Sequence, residues 1–246
     1  MVEVPRRALV IGATEGVGLE VVRRLAREGH LVVAVCGSED ASADAVAEEF
    51  DDARLGVRLA RLSLSLTEGI RALFSRLADE GRSPELLVNA HAATRSPETG
   101  LPSDPVFDEV LDANLRTTFL ACQEAVKTMA RQGFGRIINL LPPASLPGTE
   151  AQMAAEAANS SVLGFTRALA REVGHLGITA NVVSPGVLRP ESAEMRQDEF
   201  LEGLRRRTPL QRFGTPAEVA GLVNMLCGED AGYITGQCLS IDGGLR

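Results

Sequence analysis

Short apolar runs alternate with stretches of helical spacing along the chain. Ala8-Leu9-Val10-Ile11 is apolar at every position, the pattern of a strand buried on both faces rather than on one. Residues 19–28 then place apolar side chains on one helical face and stop at Gly29, a residue suited to ending a helix. Similar runs at 31–36, 57–62, 86–89, 136–141, 178–183 and 237–241 predict six further strands. Helical patterns over 41–50, 68–80, 105–131, 151–173 and 216–227 fall between them. This alternation predicts one Rossmann-type α/β domain covering residues 1–246. Its doubly wound parallel sheet would have about seven strands, with helices on both faces. Ligands in such a fold bind outside the carboxyl ends of the strands. The polar stretch at about 190–208 is expected to form a mobile helical flap over that end.

Composition narrows the class. At 246 residues and 45% hydrophobic content, the chain can bury a full core as a single domain. A formal charge of −8 disfavours an electrostatic nucleic-acid binder, and Arg205-Arg206-Arg207 reads as a solvated helix face. No run approaches the ~18 apolar residues of a membrane span, and the first residues lack the apolar core of a signal peptide. Cys36, Cys122, Cys227 and Cys238 are scattered without metal-ligand spacing. The expectation is a cytoplasmic protein with reduced thiols, no metal, no nucleic-acid partner and no membrane. The chain contains one tyrosine, Tyr233, and one lysine, Lys127.

Between the first strand and helix lies Gly12-Ala13-Thr14-Glu15-Gly16-Val17-Gly18. A glycine-rich turn there can bring backbone N–H groups and a helix N-terminus to a pyrophosphate. The same glycines would serve close helix–sheet packing, and the turn alone does not choose between the two. Glu15 is an awkward neighbour for a phosphate because its carboxylate repels it.

That turn, with Asn89 ending the fourth strand, Asp112-Ala113-Asn114-Leu115 and Ser184-Pro185-Gly186, resembles the short-chain dehydrogenase/reductase family. So do Arg212-Phe213-Gly214-Thr215-Pro216, Tyr233-Ile234-Thr235-Gly236 and Ile241-Asp242-Gly243-Gly244. Nearest in look are the β-ketoacyl-carrier-protein reductases. The resemblance implies NAD(P)-dependent hydride transfer to or from a carbonyl. Its catalysis uses a tyrosine, a lysine four residues on, a serine and an asparagine. A phenol with a pKa near ~10 needs the lysine's charge beside it to act at neutrality. By the flanking matches, the tyrosine position is Ala155, the lysine position Asn159 and the serine position Pro142. Only the asparagine is retained, as Asn114. No Tyr-x-x-x-Lys pair exists anywhere in the chain.

By the same resemblance, Gly12, Thr14, Gly16, Gly18 and Asn89 would be the remnants of a dinucleotide site. Cys36-Gly37 stand where an acidic residue would meet the NAD ribose or a basic one the NADP phosphate. Ser63 replaces an acid near the adenine, Ala90-His91-Ala92 intrudes a side chain, and Pro190 takes a threonine position. The cofactor is therefore expected to be absent, or NAD(H) or NADP(H) held weakly. The resulting expectation is a non-catalytic subunit in a homo- or hetero-oligomer, a dimer or tetramer, that supports or regulates an active paralogue. Two alternatives stand beside it. One is an NAD(P)-dependent oxidoreductase of 3-oxoacyl-reductase or hydroxyacyl-dehydrogenase type that uses non-standard residues such as His91. The other is a sensor that binds a dinucleotide or an acyl thioester.

Overall fold

A computed structural model describes residues 4–37, 40–52, 55–62, 67–91, 102–142, 153–189 and 199–245. Seven parallel strands form one sheet: β1 (Arg7–Ile11), β2 (Leu31–Gly37), β3 (Val57–Leu62), β4 (Leu86–Asn89), β5 (Gly135–Leu140), β6 (Ile178–Pro185) and β7 (Cys238–Ile241). Their spatial order is β3-β2-β1-β4-β5-β6-β7. The order reverses between β1 and β4, which opens a crevice at their carboxyl ends. This is the doubly wound sheet that the apolar runs predict.

The pleat divides each strand between two cores. Ala8 and Val10 face one layer, built from α1 (Gly16–Arg27), α2 (Ala43–Asp52) and α8 (Pro216–Cys227). Leu9 and Ile11 face the other, built from α3 (Thr67–Asp79), α5 (Thr117–Gln132) and α6 (Met153–Val173). Val21, Leu25, Val223 and Leu226 fill the first layer, and Ile70, Leu73, Ala125 and Met129 the second. Complete burial of each of the larger side chains contributes ~1.5–3 kcal/mol.

Local chemistry fixes the helix ends. α8 begins with Pro216 behind the cap Thr215, and a reciprocal capping box joins Thr215 and Glu218. α5 ends on Gly133 in the left-handed region, at φ 68°. α7 (Glu199–Arg207) covers part of the stretch expected as a flap, while 190–198 lie outside the described residues.

One predicted element is corrected. The single α-helix expected over 105–131 contains a π-helical turn, Asp112–Arg116, between α4 (Asp104–Leu111) and α5. Three side chains bond to carbonyls of that turn. Thr117 Oγ1 donates to Asp112 O at 3.2 Å, Thr118 Oγ1 to Asn114 O at 2.7 Å, and His91 Nε2 to Ala113 O at 2.7 Å. The first two are local and the last comes from the end of β4, so the irregularity is supported by tertiary contact as well as by local sequence.

A buried polar chain crosses the second layer. Asn89 Nδ2 donates to Asn139 Oδ1 at 2.8 Å, and Asn139 Nδ2 donates to Thr166 Oγ1 at 2.9 Å. Thr166 then donates to Val162 O at 2.7 Å. Each of the three side chains is almost fully buried.

Candidate functional site

At the carboxyl ends of β1, β2, β4, β5 and β6 lies a cleft of about 540 Å³. That is within the ~300–1,000 Å³ typical of small-molecule sites. The glycine turn forms one wall. Gly12 takes φ +82° and Gly16 φ +51°, conformations that side chains resist. A Cβ on Gly12 would stand 2.6 Å from the backbone nitrogen of His91, and one on Gly18 1.7 Å from the carbonyl oxygen of Gly12. The turn therefore packs β1 tightly against α1 and β4. The same geometry points the N-terminus of α1 at the cleft, with no side chain capping it. Close packing and an anion-binding cradle are thus two results of one backbone path.

Thr14, Gly16 and Gly18 line the cleft together with Gly12. Asn89 does not line it. Its amide is turned into the sheet, bonded to Asn139 and at 3.6 Å to the Cys122 sulfur. Burial pushes the Cys122 thiol up to about 12, so it is inert.

The end of β2 departs from the sequence reading. Cys36 and Gly37 line the cleft, and so does Asp40, three residues beyond the strand. Thr14 Oγ1 donates to Asp40 Oδ2, and Ser42 donates to Oδ1 through its backbone N–H at 2.9 Å and its hydroxyl at 2.6 Å. These bonds, Ser42's first and then Thr14's, hold the Asp40 carboxyl below the usual carboxylate range. An acid therefore reaches the place where Cys36-Gly37 offered none. Its signal in the sequence was Asp40-Ala41-Ser42, in which an Asp accepts from the N–H two residues on. Arg189, also unsingled by the sequence reading, is the one arginine or lysine lining the cleft among the described residues.

His91 lines the cleft beside Ala90, Leu141 and Pro142. Because a carbonyl can only accept, the bond to Ala113 O requires the proton on Nε2. Nδ1 is then an acceptor, and it is shielded from water without a hydrogen-bond partner among the described residues. Burial lowers the ring's pKa, with the Ala113 bond opposing as the smaller effect. The ring is a neutral base at neutral pH. The ring is anchored to Ala113 of the π turn.

Of the positions carried over from the family, Pro142 lines the cleft. Asn114 is buried in the π turn beside Ala113. Ala155 and Asn159 are buried on α6, where Ala155 packs with Ala154 and Val110. Tyr233 is fully exposed, and Lys127 is on the outer face of α5, 2.7 Å from Glu124. Neither lines the cleft. Ser63, Ala92 and Pro190 fall outside the described residues. No group of three His, Cys, Asp or Glu suited to a metal occurs among the described residues. None of the described helices is long and apolar enough to cross a membrane.

Known proteins carry the site further. Residues 12–246 match the family model described as enoyl-(acyl carrier protein) reductase. The 3-oxoacyl-[acyl-carrier-protein] reductase FabG of Aquifex aeolicus is 32% identical over 240 residues, spanning 97% of this chain and 96% of its own. Nodulation protein G of Azospirillum brasilense is 31% identical over 239 residues, 97% of each chain. A crystal structure described provisionally as a gluconate dehydrogenase from Agrobacterium tumefaciens superposes with a TM-score of 0.91 at 24% identity. It covers 99% of this chain and 97% of that one, a likeness of fold alone.

These findings overturn the expectation of an absent or weakly held cofactor. Reductases and dehydrogenases need a hydride carrier, and this chain matches such proteins through the glycine turn and beyond. The physical grounds for expecting a lost site also weaken, because Asp40, bonded by Thr14 of the glycine turn, brings an acid to the cleft beyond Cys36-Gly37. The glycine cradle and the acid beyond β2 fit a dinucleotide. By its fold, its glycine turn and its match over residues 12–246, the chain belongs to the short-chain dehydrogenase/reductase family.

Proposed function

We propose that the chain is a nicotinamide-dinucleotide-dependent oxidoreductase that interconverts a hydroxyl and a carbonyl on an acyl-type substrate, with His91 moving the proton. The neutral, anchored imidazole at the cleft, whose Nδ1 has no hydrogen-bond partner among the described residues, is the observation that carries this reading. The full-length likeness to 3-oxoacyl reductases supports the substrate class.

The cradle of Gly12, Thr14, Gly16 and Gly18 would hold the pyrophosphate at the N-terminus of α1. A bound nicotinamide supplies the acceptor or donor of a hydride. Oxidation also releases the hydroxyl proton, which His91 Nδ1 takes up as the carbonyl forms. Ala113 O fixes the ring's tautomer and steadies the positive charge that results. Carbonyl reduction returns the same proton to oxygen. A histidine with a lowered pKa is mostly unprotonated, which favours the oxidative direction near neutrality.

The test is oxidation of a 3-hydroxyacyl thioester with NAD⁺, followed at the nicotinamide absorbance. His91→Ala should lower kcat by roughly 10²–10⁴. Turnover unaffected by that substitution would refute the role of His91.

A second reading is favoured by the single tyrosine and single lysine of the chain, neither at the cleft. In it, the protein is a supporting subunit of an active relative. Phe119 and Met153, exposed apolar residues on α5 and α6, suit helix-to-helix association. Co-expression with the dehydrogenase encoded beside it, followed by mass and activity of the product, separates the readings. A stable complex whose activity survives His91→Ala supports the subunit reading.

A further inference from the structure

We infer that Arg189 makes the cleft selective for substrates that carry a free carboxylate, so that the acyl group taken is that of a dicarboxylic acid. The inference rests on the oxidoreductase reading above and adds which acyl class is accepted.

The backbone fixes the root of the side chain. Arg189 N–H donates to Gly214 O at 2.8 Å, and Gly214 N–H donates to Val187 O at 2.9 Å. The resulting parallel bridge, Leu188 to Gly214, ties the chain beyond β6 to the segment that opens α8. A Cβ on Gly214 would stand 3.0 Å from the Leu188 side chain, so the two segments are closely set.

The acids around this bridge are already engaged. Arg212 holds Glu218 through Nη1 at 3.0 Å and Nη2 at 2.6 Å, and Thr215 N–H donates to the same carboxylate at 2.9 Å. Asp242 Oδ1 accepts from Gly244 N–H at 2.9 Å. The Arg189 side chain is exposed at the cleft and pairs with no acid among the described residues. Its guanidinium stays charged throughout the working pH range, and its planar fork matches the two oxygens of a carboxylate.

Place decides which anion it meets. The pyrophosphate belongs at α1 beside β1, three strands from β6 and so about 14 Å away across the sheet. His91 follows β4, two strands from β6, or about 10 Å. The arginine side chain takes up part of that gap, and a short acyl chain spans the rest. Leu141 and Pro142, beyond β5, line the cleft between them and offer apolar contact to the connecting carbons. Glu15 and Asp40 line the β1–β2 side and repel a carboxylate from it. The acid end of the substrate is thereby turned to Arg189 and its hydroxyl to His91.

The test is calorimetric titration of the protein, with NADH present, using the N-acetylcysteamine thioester of 3-hydroxyglutarate and its carboxamide counterpart. The two probes differ in charge but hardly in shape, carry no phosphate, and are read without turnover. The native protein should bind the carboxylate at least ~10-fold more tightly. Arg189→Gln should bring the pair within ~2-fold, and Arg189→Lys should retain part of the difference. NADH affinity should stay within ~2-fold in both variants. Equal binding of the pair by the native protein, binding of neither, or a preference that survives Arg189→Gln would overturn the inference. Loss of NADH affinity in Arg189→Gln would also overturn it, by assigning the guanidinium to the cofactor. An intact preference without turnover of the carboxylate probe on NAD⁺ would keep the carboxylate site and refute the oxidoreductase reading alone.

Discussion

Replacing Gly18 with alanine probes the cradle by steric means alone. Gly18 sits in the first turn of α1 without a positive φ, so the backbone itself accepts alanine. In an open helix the change would stabilise by up to ~1 kcal/mol. Here the new methyl would stand 1.7 Å from the carbonyl oxygen of Gly12. An ordinary carbon–oxygen contact is ~3.3 Å, so α1 and the turn must separate by about 1.6 Å. Overpacking of this kind costs ~1–3 kcal/mol and sometimes more, which outweighs the helix gain. The expected net loss is about 2 kcal/mol, or a Tm lower by ~4–8 °C. The displaced turn should also weaken NADH binding by at least ~10-fold. Gly221→Ala is the matched control, since a Cβ there meets nothing within 4 Å inside α8. It should stabilise by ~0.5–1 kcal/mol and leave NADH binding unchanged. Urea unfolding and fluorescence titration of the pair provide the assay. Native stability and native NADH affinity in Gly18→Ala would refute the close approach of turn and helix.

Three further outcomes are expected. Because burial lowers the His91 pKa, oxidative kcat should fall with acid about a midpoint below the ordinary histidine value of ~6.5, as a pH–rate profile would reveal. The unfolded chain binds this proton more tightly, so His91 also subtracts stability as pH drops below ~6.5 towards the folded pKa. Thr215→Ala removes the α8 capping box and should cost ~1 kcal/mol by urea unfolding. Glu218, drawn down to about 2 first by Arg212, should lose its share of that support as pH falls from ~4.5 towards that value. Thiol labelling of the native protein should modify Cys238 first, because Cys36, Cys122 and Cys227 are buried, and Cys238→Ser should abolish the fast phase.

The sheet was legible because β1 and β2 carry unbroken apolar runs, and β4 and β3 fall at the residues the pattern marks. α8 was likewise plain from the helical pattern over 216–227, and the structure adds the capping box between Thr215 and Glu218 that starts it. The π turn was not legible, since one of its partners is His91, 22 residues upstream. Asp40 was missed for a related reason: counting to the strand's end stops at Gly37, whereas Thr14 bonds the acid that lies beyond it. That the chain carries one tyrosine and one lysine was plain from residue identity, and neither lines the cleft. Cofactor loss could not be judged that way, because a site's polar partners can arrive from a neighbouring turn.

The amide pair inside the sheet has a consequence for folding. Strands β4 and β5 are apolar on either side of Asn89 and Asn139, which are direct register partners. A slip of two residues would keep every side chain on its original face and bury almost as much hydrocarbon. It would also set each asparagine opposite an aliphatic neighbour, at ~1–3 kcal/mol for each stranded amide. The pair thus acts as an alignment key between otherwise interchangeable strands. Through Thr166 the key reaches α6, so correct pairing of the sheet and seating of that helix are checked together.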